Sequence, residues 1–353
     1  MSTKGDGRLI NNTTIAADHE EDTDISLRRR STPVVSSSST SCTDSGPITV
    51  TTPKGILSPA SERIDPTKSS PKRSILVTGG NSGIGFALCR QLAASEEYDC
   101  KVYLAARNRK RGQEAIERIR KRHSYADIEL LVMDVSSELS VRAAAEKLSL
   151  ISFYAIVNNA GVGIRTGDGN PDNLLATNIY GPKRVIDAFL PQVTHRIVNI
   201  SSGAAAVWLR NEPPQTKAFF SESLTEWHQL VGEVERQKIL NKGGGISTYC
   251  ISKAALNLYT MQLAEEHSHL TIVAVTPGMT DTNLTRGLND GKKQQPDQAT
   301  AAILKCLFSD NIRSGAYYGS DGLRSPLTVT RDPGMPEYEG EDEGCIDPSR
   351  YNK

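Results

Sequence analysis

Apolar positions gather in short unbroken runs through the middle of the chain, while polar residues dominate both ends. The run Ser74-Ile75-Leu76-Val77-Thr78 stops at glycines and leads into a helical pattern over Gly83–Ala94. Val102-Tyr103-Leu104-Ala105 precedes a charged amphipathic stretch over 109–122, and the run 128–133 precedes helical spacing over 138–149. Further strand-like runs at 154–157, 196–200 and 271–275 alternate with helical spacing over 172–190 and 247–266. None of the strand runs alternates apolar with polar, which is the pattern of strands covered on both faces. Such strands alternating with helices predict an α/β fold, a parallel sheet joined by right-handed crossovers. One domain over 73–325 is expected to carry this sheet.

The ends read differently. Residues 1–72 carry neither period and are rich in Ser, Thr and Pro, as in STPVVSSSSTSCTDSGPITVTTP. That composition buries too little apolar surface to offset ordering entropy, so a disordered arm is expected. Within it, Arg28-Arg29-Arg30 before Ser31, Thr32 and Pro33 fits basic-directed phosphorylation, although a solvated charge cluster explains it more simply. Residues 326–353 contain DPGMPEYEGEDEG, and this Pro/Gly-broken acidic stretch is expected to be a flexible tail.

Charge and composition then remove whole classes. Lys+Arg and Asp+Glu both number 41, so the basic field of a nucleic-acid binder is absent. No apolar run approaches the roughly 18 residues of a membrane span. The start MSTKGDGRLINN lacks the apolar segment of a signal peptide, and HEEDTD argues against a transit peptide. The six cysteines, Cys42, Cys89, Cys100, Cys250, Cys306 and Cys345, stand singly, without metal-ligand spacing. Free thiols in a reducing, cytoplasmic setting and no metal site are expected. His267 and His269 read as a polar helix end rather than as ligands.

The chemistry-bearing residues lie at the ends of the strand runs. Thr78-Gly79-Gly80-Asn81-Ser82-Gly83-Ile84-Gly85 turns from the first strand into a helix. Glycines there let a pyrophosphate approach backbone N–H groups at a helix N-terminus. The second strand ends in Ala106-Arg107-Asn108-Arg109-Lys110-Arg111. An acid there would suit the ribose hydroxyl of NAD, whereas arginine suits a 2′-phosphate, so NADP(H) is favoured. Tyr249 and Lys253 stand four apart on a predicted helix and share a face. An ammonium ~4 Å from a phenol at an effective dielectric of ~20 favours the phenolate by about 4 kcal/mol, an upper-end figure.

The order of these motifs resembles the short-chain dehydrogenase/reductase family over about residues 73–320. TGGNSGIG at 78–85, Asp134-Val135, NNAG at 158–161, TNIYG around Asn178, NISS at 199–202, YCISK at 249–253 and PGMTDT at 277–282 carry the resemblance. It implies a Rossmann-type doubly wound sheet with helices on both faces. It also implies that Tyr249 gives a proton to a substrate carbonyl and that Lys253 holds the nicotinamide ribose and lowers the Tyr249 pKa. Ser202 rather than Ser201 would bind the carbonyl, and Asn178 would hold a water leading from Lys253 to solvent. The same resemblance places Asp134 on the adenine amine and makes Gly79, Asn81, Ser82, Gly83, Ile84, Gly85 and Val135 cofactor-binding. Asn158 falls near the adenosine ribose, Arg107 and Arg111 at the 2′-phosphate and Thr282 at the carboxamide, with Ala160, Gly161, Pro277 and Gly278 also among the cofactor-binding residues.

One departure stands out. The stretch 203–245 separates Ser202 from Tyr249 and contains Trp208, Pro213-Pro214, SESLTEWHQLVGEVERQKIL and Gly243-Gly244-Gly245. Leu224, Trp227, Val231 and Val234 approach helical spacing, so an amphipathic helix is expected that either covers the substrate cleft or packs as a satellite. The insertion resembles that of monomeric carbonyl reductases, which implies a monomer. The resulting expectation is an NADPH-dependent reductase of a lipophilic aldehyde or ketone. An NADP-dependent retinol-like or steroid-like alcohol dehydrogenase and a non-catalytic nucleotide-sensing protein stand as alternatives.

Overall fold

In the computed structural model the chain is described over residues 72–163, 170–222, 225–288, 293–341 and 346–352. The expected disordered arm, apart from Lys72, lies outside these residues. Seven strands form one parallel sheet: β1 (Arg73–Thr78), β2 (Cys100–Ala106), β3 (Ile128–Val132), β4 (Phe153–Asn158), β5 (Val193–Ile200), β6 (Thr271–Val275) and β7 (Tyr317–Tyr318). Their order is β3-β2-β1-β4-β5-β6-β7, a doubly wound arrangement. The order reverses between β1 and β4, and ligands of such sheets bind at the carboxyl ends there.

Alternate side chains of each strand feed two separate cores. Leu76, Ile156, Ile197 and Ile272 pack on one face under α4 (Pro171–Asn178), α5 (Tyr180–Phe189) and α9 (Gly245–Glu266). Ile75, Val77, Ala155, Val157, Val198 and Val273 pack on the other, under α1 (Gly83–Ala94), α2 (Arg109–Arg122) and α10 (Pro296–Phe308). Each fully buried aliphatic side chain contributes about 1.5–3 kcal/mol, and this two-sided burial is why the runs are unbroken. The helix α3 (Glu138–Lys147) starts at Ser137, whose side chain accepts the Ser140 N–H.

Four expectations change. The single helix over 172–190 is two, broken at Ile179 with φ −124 and ψ −50. Pro182 explains the break, because proline is tolerated in the first turn of a helix but not in its interior. The insertion holds three helices, α6 (Ala204–Leu209), α7 (Pro214–Ser221) and α8 (Trp227–Leu240). In α8 the buried stripe is Leu230, Val234 and Gln237, one position away from the expected Val231, and Leu224 lies outside the described residues. Helix α10 and strand β7 add elements that the hydrophobic pattern did not announce.

The fourth change concerns the acidic tail. Its described residues pack on the domain, with Leu327, Val329 and Tyr351 buried. The Arg331 guanidinium is fully buried and clasps Asp321 with two bonds of 2.9 and 2.8 Å. Glu337 pairs with Arg324, and Glu341 accepts from Tyr351. Arg331 and Glu337 thus tie the tail to Asp321 and Arg324 just before it, and Tyr351 meets Glu341 within it, so the described part of the acidic stretch forms a strap on the domain.

Candidate active site

Strand β1 ends in a turn that is shaped by close approach. A Cβ on Gly79, which has φ +66, would lie 2.9 Å from the Ala160 Cα, and one on Gly85 would lie 2.5 Å from the Gly79 carbonyl oxygen. Asn159 braces the same turn by donating to the Thr78 carbonyl at 2.8 Å, and the Asn159 and Ala160 N–H groups both reach the Thr78 hydroxyl. Ser82, the N-cap residue of α1, makes no side-chain cap bond, and the first turn holds no acid. The N–H groups and positive dipole of α1 are therefore left to an anion from outside. Ile84 packs against the core beneath, and Thr282 lies over Gly83, whose Cβ would come 3.3 Å from the Thr282 methyl.

Basic residues crowd the same edge. Arg107 is exposed just beyond β2, and α2 opens with Arg109, Lys110 and Arg111 and no acid. Positive charge at a helix N-terminus opposes the dipole, a conflict that a bound phosphate relieves. Asn81, Ser82, Arg111, Arg118, Lys121 and Asn283 line a groove of about 720 Å³ between this helix and the glycine turn, together with the carboxylates of Glu114 and Glu117, so three cations there face two acids. The uncapped α1, the cradle that a Cβ would fill and the arginines fit a phosphorylated dinucleotide.

Two neighbours are placed differently from expectation. Asn158 is buried in the sheet and donates to Asn199 Oδ1 at 2.9 Å, and Asn199 donates on to Thr260 at 2.9 Å. Its side chain braces β4 against β5 rather than facing a ribose. Val135 turns its side chain into the core against Gly181, while Asp134 at the end of β3 accepts from the Ser136 N–H and hydroxyl with one oxygen.

On the other side of the switch point, α9 brings Tyr249 and Lys253 to the ends of β4 and β5. The Lys253 ammonium lies 5.9 Å from the Tyr249 ring centroid and donates to the Ile200 carbonyl at 2.8 Å. Ser202 follows β5, accepts the Ala204 N–H at 3.2 Å and is placed to donate to the Tyr249 phenolate. Ser201 is buried and donates to the Lys253 carbonyl at 3.4 Å, so it is Ser202 that faces the phenol. Gly161 sits against both partners of the next layer: a Cβ there would lie 3.5 Å from Asn178 Oδ1 and 4.0 Å from Lys253 Nζ.

Asn178 is fully buried and its amide is spent. Oδ1 accepts from Val162 N at 2.9 Å, while Nδ2 donates to Val162 O at 2.9 Å and Ser252 at 3.3 Å. The Asn178 main-chain carbonyl is open to the expected water, because Pro182, four residues on, has no N–H to bond it.

The electrostatics depart from expectation as well. Burial pulls the Lys253 ammonium from 10.5 to about 8. Burial also pushes the Tyr249 phenol above its ordinary value, and the Ser202 hydrogen bond offsets only part of this. The expected lowering of the Tyr249 pKa by Lys253 is not found. The ammonium points at the Ile200 carbonyl, and desolvation of the phenolate outweighs it. Pro277 and Gly278 join the site through Thr276, a residue that the sequence reading passed over together with Asn159 and Tyr317.

This fold and this site define an oxidoreductase of the doubly wound α/β class. The profile of the short chain dehydrogenases matches residues 73–214 and 237–293, and the chain belongs to that family. A (+)-neomenthol dehydrogenase of Arabidopsis thaliana is 33% identical over 286 residues, covering 67% of this chain and 96% of that protein. Among solved structures, a menthone neomenthol reductase from Mentha piperita is similar with a TM-score of 0.58 and 27% identity, over 71% of this chain and 99% of the other. An NADPH-bound carbonyl reductase from chicken fatty liver is similar with a TM-score of 0.54 and 25% identity, over 73% of this chain and 100% of the other.

Proposed function

We propose that the protein is an NADPH-dependent reductase of the carbonyl group of a lipophilic aldehyde or ketone. The observation that carries this reading is the convergence of Ser202, Tyr249 and Lys253 beside an uncapped helix N-terminus flanked by Arg107 and Arg111. Gly79 to Gly85 would hold the pyrophosphate, the two arginines the 2′-phosphate, and Lys253 and Thr282 the nicotinamide half. Once bound, the nicotinamide supplies the hydride for the carbonyl carbon. Ser202 holds the carbonyl oxygen by donation, and the Tyr249 O–H transfers its proton to that oxygen. The raised phenol pKa keeps the proton in place until the oxygen becomes basic. Lys253, through a water held on the Asn178 carbonyl, then passes a replacement proton from solvent to Tyr249.

The lipophilic character is inferred from exposed apolar side chains close in sequence to the site residues. Val207, Ile246 and Met279 are 44%, 67% and 38% exposed, and they lie within a turn or two of Ser202, Tyr249 and Gly278 respectively. The names of similar proteins, an NADPH-bound carbonyl reductase and a menthone neomenthol reductase among them, support the same substrate chemistry. Oxidation of an apolar alcohol with NADP is the second reading, because the same residues serve both directions and one relative is named a dehydrogenase. The chain is proposed to act as a monomer, since α8 lies along α9 with Trp227 and Tyr259 ring centroids 5.1 Å apart. The test is NADPH and NADH consumption by the purified chain with apolar ketones, aldehydes and charged keto acids. NADPH-specific turnover of the apolar set supports the reading; tight NADPH binding without turnover of any carbonyl overturns it.

A further inference from the structure

β5, β6 and β7 are neighbours in the sheet, and the loops that leave β5 and β6 carry Ser202 and the Pro277-Gly278 turn. One side chain ties these loops together. The Thr276 hydroxyl oxygen accepts the Gly203 N–H at 3.3 Å and the Gly278 N–H at 3.2 Å. Its own proton is placed to serve the phenol of Tyr317 on β7, whose deprotonated form it would favour. Tyr317 is buried with Ala274 and Leu327 against Met261.

The consequence lies at the start of α6. The first N–H groups of a helix lack intrahelical partners. Here Ala204 takes the Ser202 oxygen, and Gly203 takes Thr276. With its oxygen accepting from Ala204, Ser202 has its proton free to face Tyr249. Without Thr276, the Gly203 N–H is stranded, and a stranded donor costs more than its bond contributed. It then competes for the Ser202 oxygen. On the other loop, Gly278 has φ +75, and a Cβ there would lie 2.9 Å from the Ser320 Cβ, so the turn has no room to follow.

We propose that Thr276, backed by Tyr317, is a positioning residue that registers the Ser202 loop to the Pro277-Gly278 turn and thereby aims the Ser202 hydroxyl at Tyr249. The kinetic consequence rests on the reductase reading, while the latch itself does not. The experiment compares the full-length wild type with Thr276→Val, Thr276→Ser and Tyr317→Phe, reading carbonyl reduction against pH and hydrogen exchange at the Gly203 and Gly278 amides.

Thr276→Val should lower kcat about tenfold or more, the scale of a misplaced catalytic group. Because the lost Ser202 bond had favoured the phenolate, the Tyr249 pKa rises and the alkaline limb of activity moves to higher pH. Thr276→Ser should stay within about twofold of wild type, and both amides should be protected in it and exposed in the valine variant. Tyr317→Phe, which keeps the ring, should lower kcat less than valine with the same direction of pH change, and it decides the matter if the valine variant does not fold. An active wild type with an unmoved pH limb and protected amides in Thr276→Val overturns the latch alone. A wild type inactive on every carbonyl overturns the reductase reading, and unprotected amides in that same wild type overturn the latch.

Discussion

Lys253 is 6% exposed, and burial pulls its ammonium from 10.5 to about 8. At 1.36 kcal/mol per pKa unit, that difference makes the protonated lysine cost the fold about 3 kcal/mol at neutral pH. Lys253→Met removes the charge but strands the Ile200 carbonyl, which accepts from Nζ at 2.8 Å. Losing that bond returns about 1–2 kcal/mol of the gain, so the variant should be more stable by about 1–2 kcal/mol. For a domain of this size each kcal/mol raises Tm by about 2–4 °C. The pH dependence carries a definite sign. The unfolded chain holds this proton up to about 10.5 and the folded chain only up to about 8, so wild-type stability rises between the two. Methionine has no such dependence, and its advantage should vanish toward the upper value. The assay is thermal melting of the cofactor-free wild type and variant at pH 7 and near pH 10, with activity measured alongside. A variant that melts below wild type at pH 7, or a gap equal at both pH values, refutes the reasoning.

Arg107→Asp should weaken NADPH and favour NADH, because an acid repels the 2′-phosphate and accepts a ribose hydroxyl; fluorescence titration of both cofactors checks it. Arg331→Met should destabilise the domain by about 3 kcal/mol, since it leaves Asp321 without its clasping guanidinium. Burial pushes Asp321 up, but Arg331 and the Gly334 and Leu323 N–H groups outweigh it and hold the carboxyl below its ordinary 3.8. This stabilisation is complete above 3.8 and lost as the pH falls through the folded value, so denaturant midpoints of wild type and variant should converge in acid.

Much of the sheet was legible because strands covered on both faces must be apolar at successive positions, as in Ile75, Leu76 and Val77. β7 has only Tyr317 and Tyr318, too few for any period to register. α10 did leave a signal, Pro296 inside a Gln295–Gln298 capping box, which apolar spacing alone does not reveal. Tyr249 and Lys253 were visible because one helix places both. Thr276 was not, because its partners Gly203, Gly278 and Tyr317 come from three different strand ends. The direction of the Tyr249 shift was illegible for a related reason: it depends on which carbonyl the ammonium points to. The strap hid behind its own composition, since acids read as solvated until Arg331 and Arg324 are seen to face them.

Central to the account is the phenol as proton donor, and the rate of NADPH oxidation in a single turnover with an apolar ketone tests it most directly. Tyr249→Phe should slow that turnover by about 100-fold or more, the scale of a lost general acid, while NADPH binds as in the wild type. A phenylalanine variant that oxidises NADPH at a rate close to the wild type would contradict the assignment.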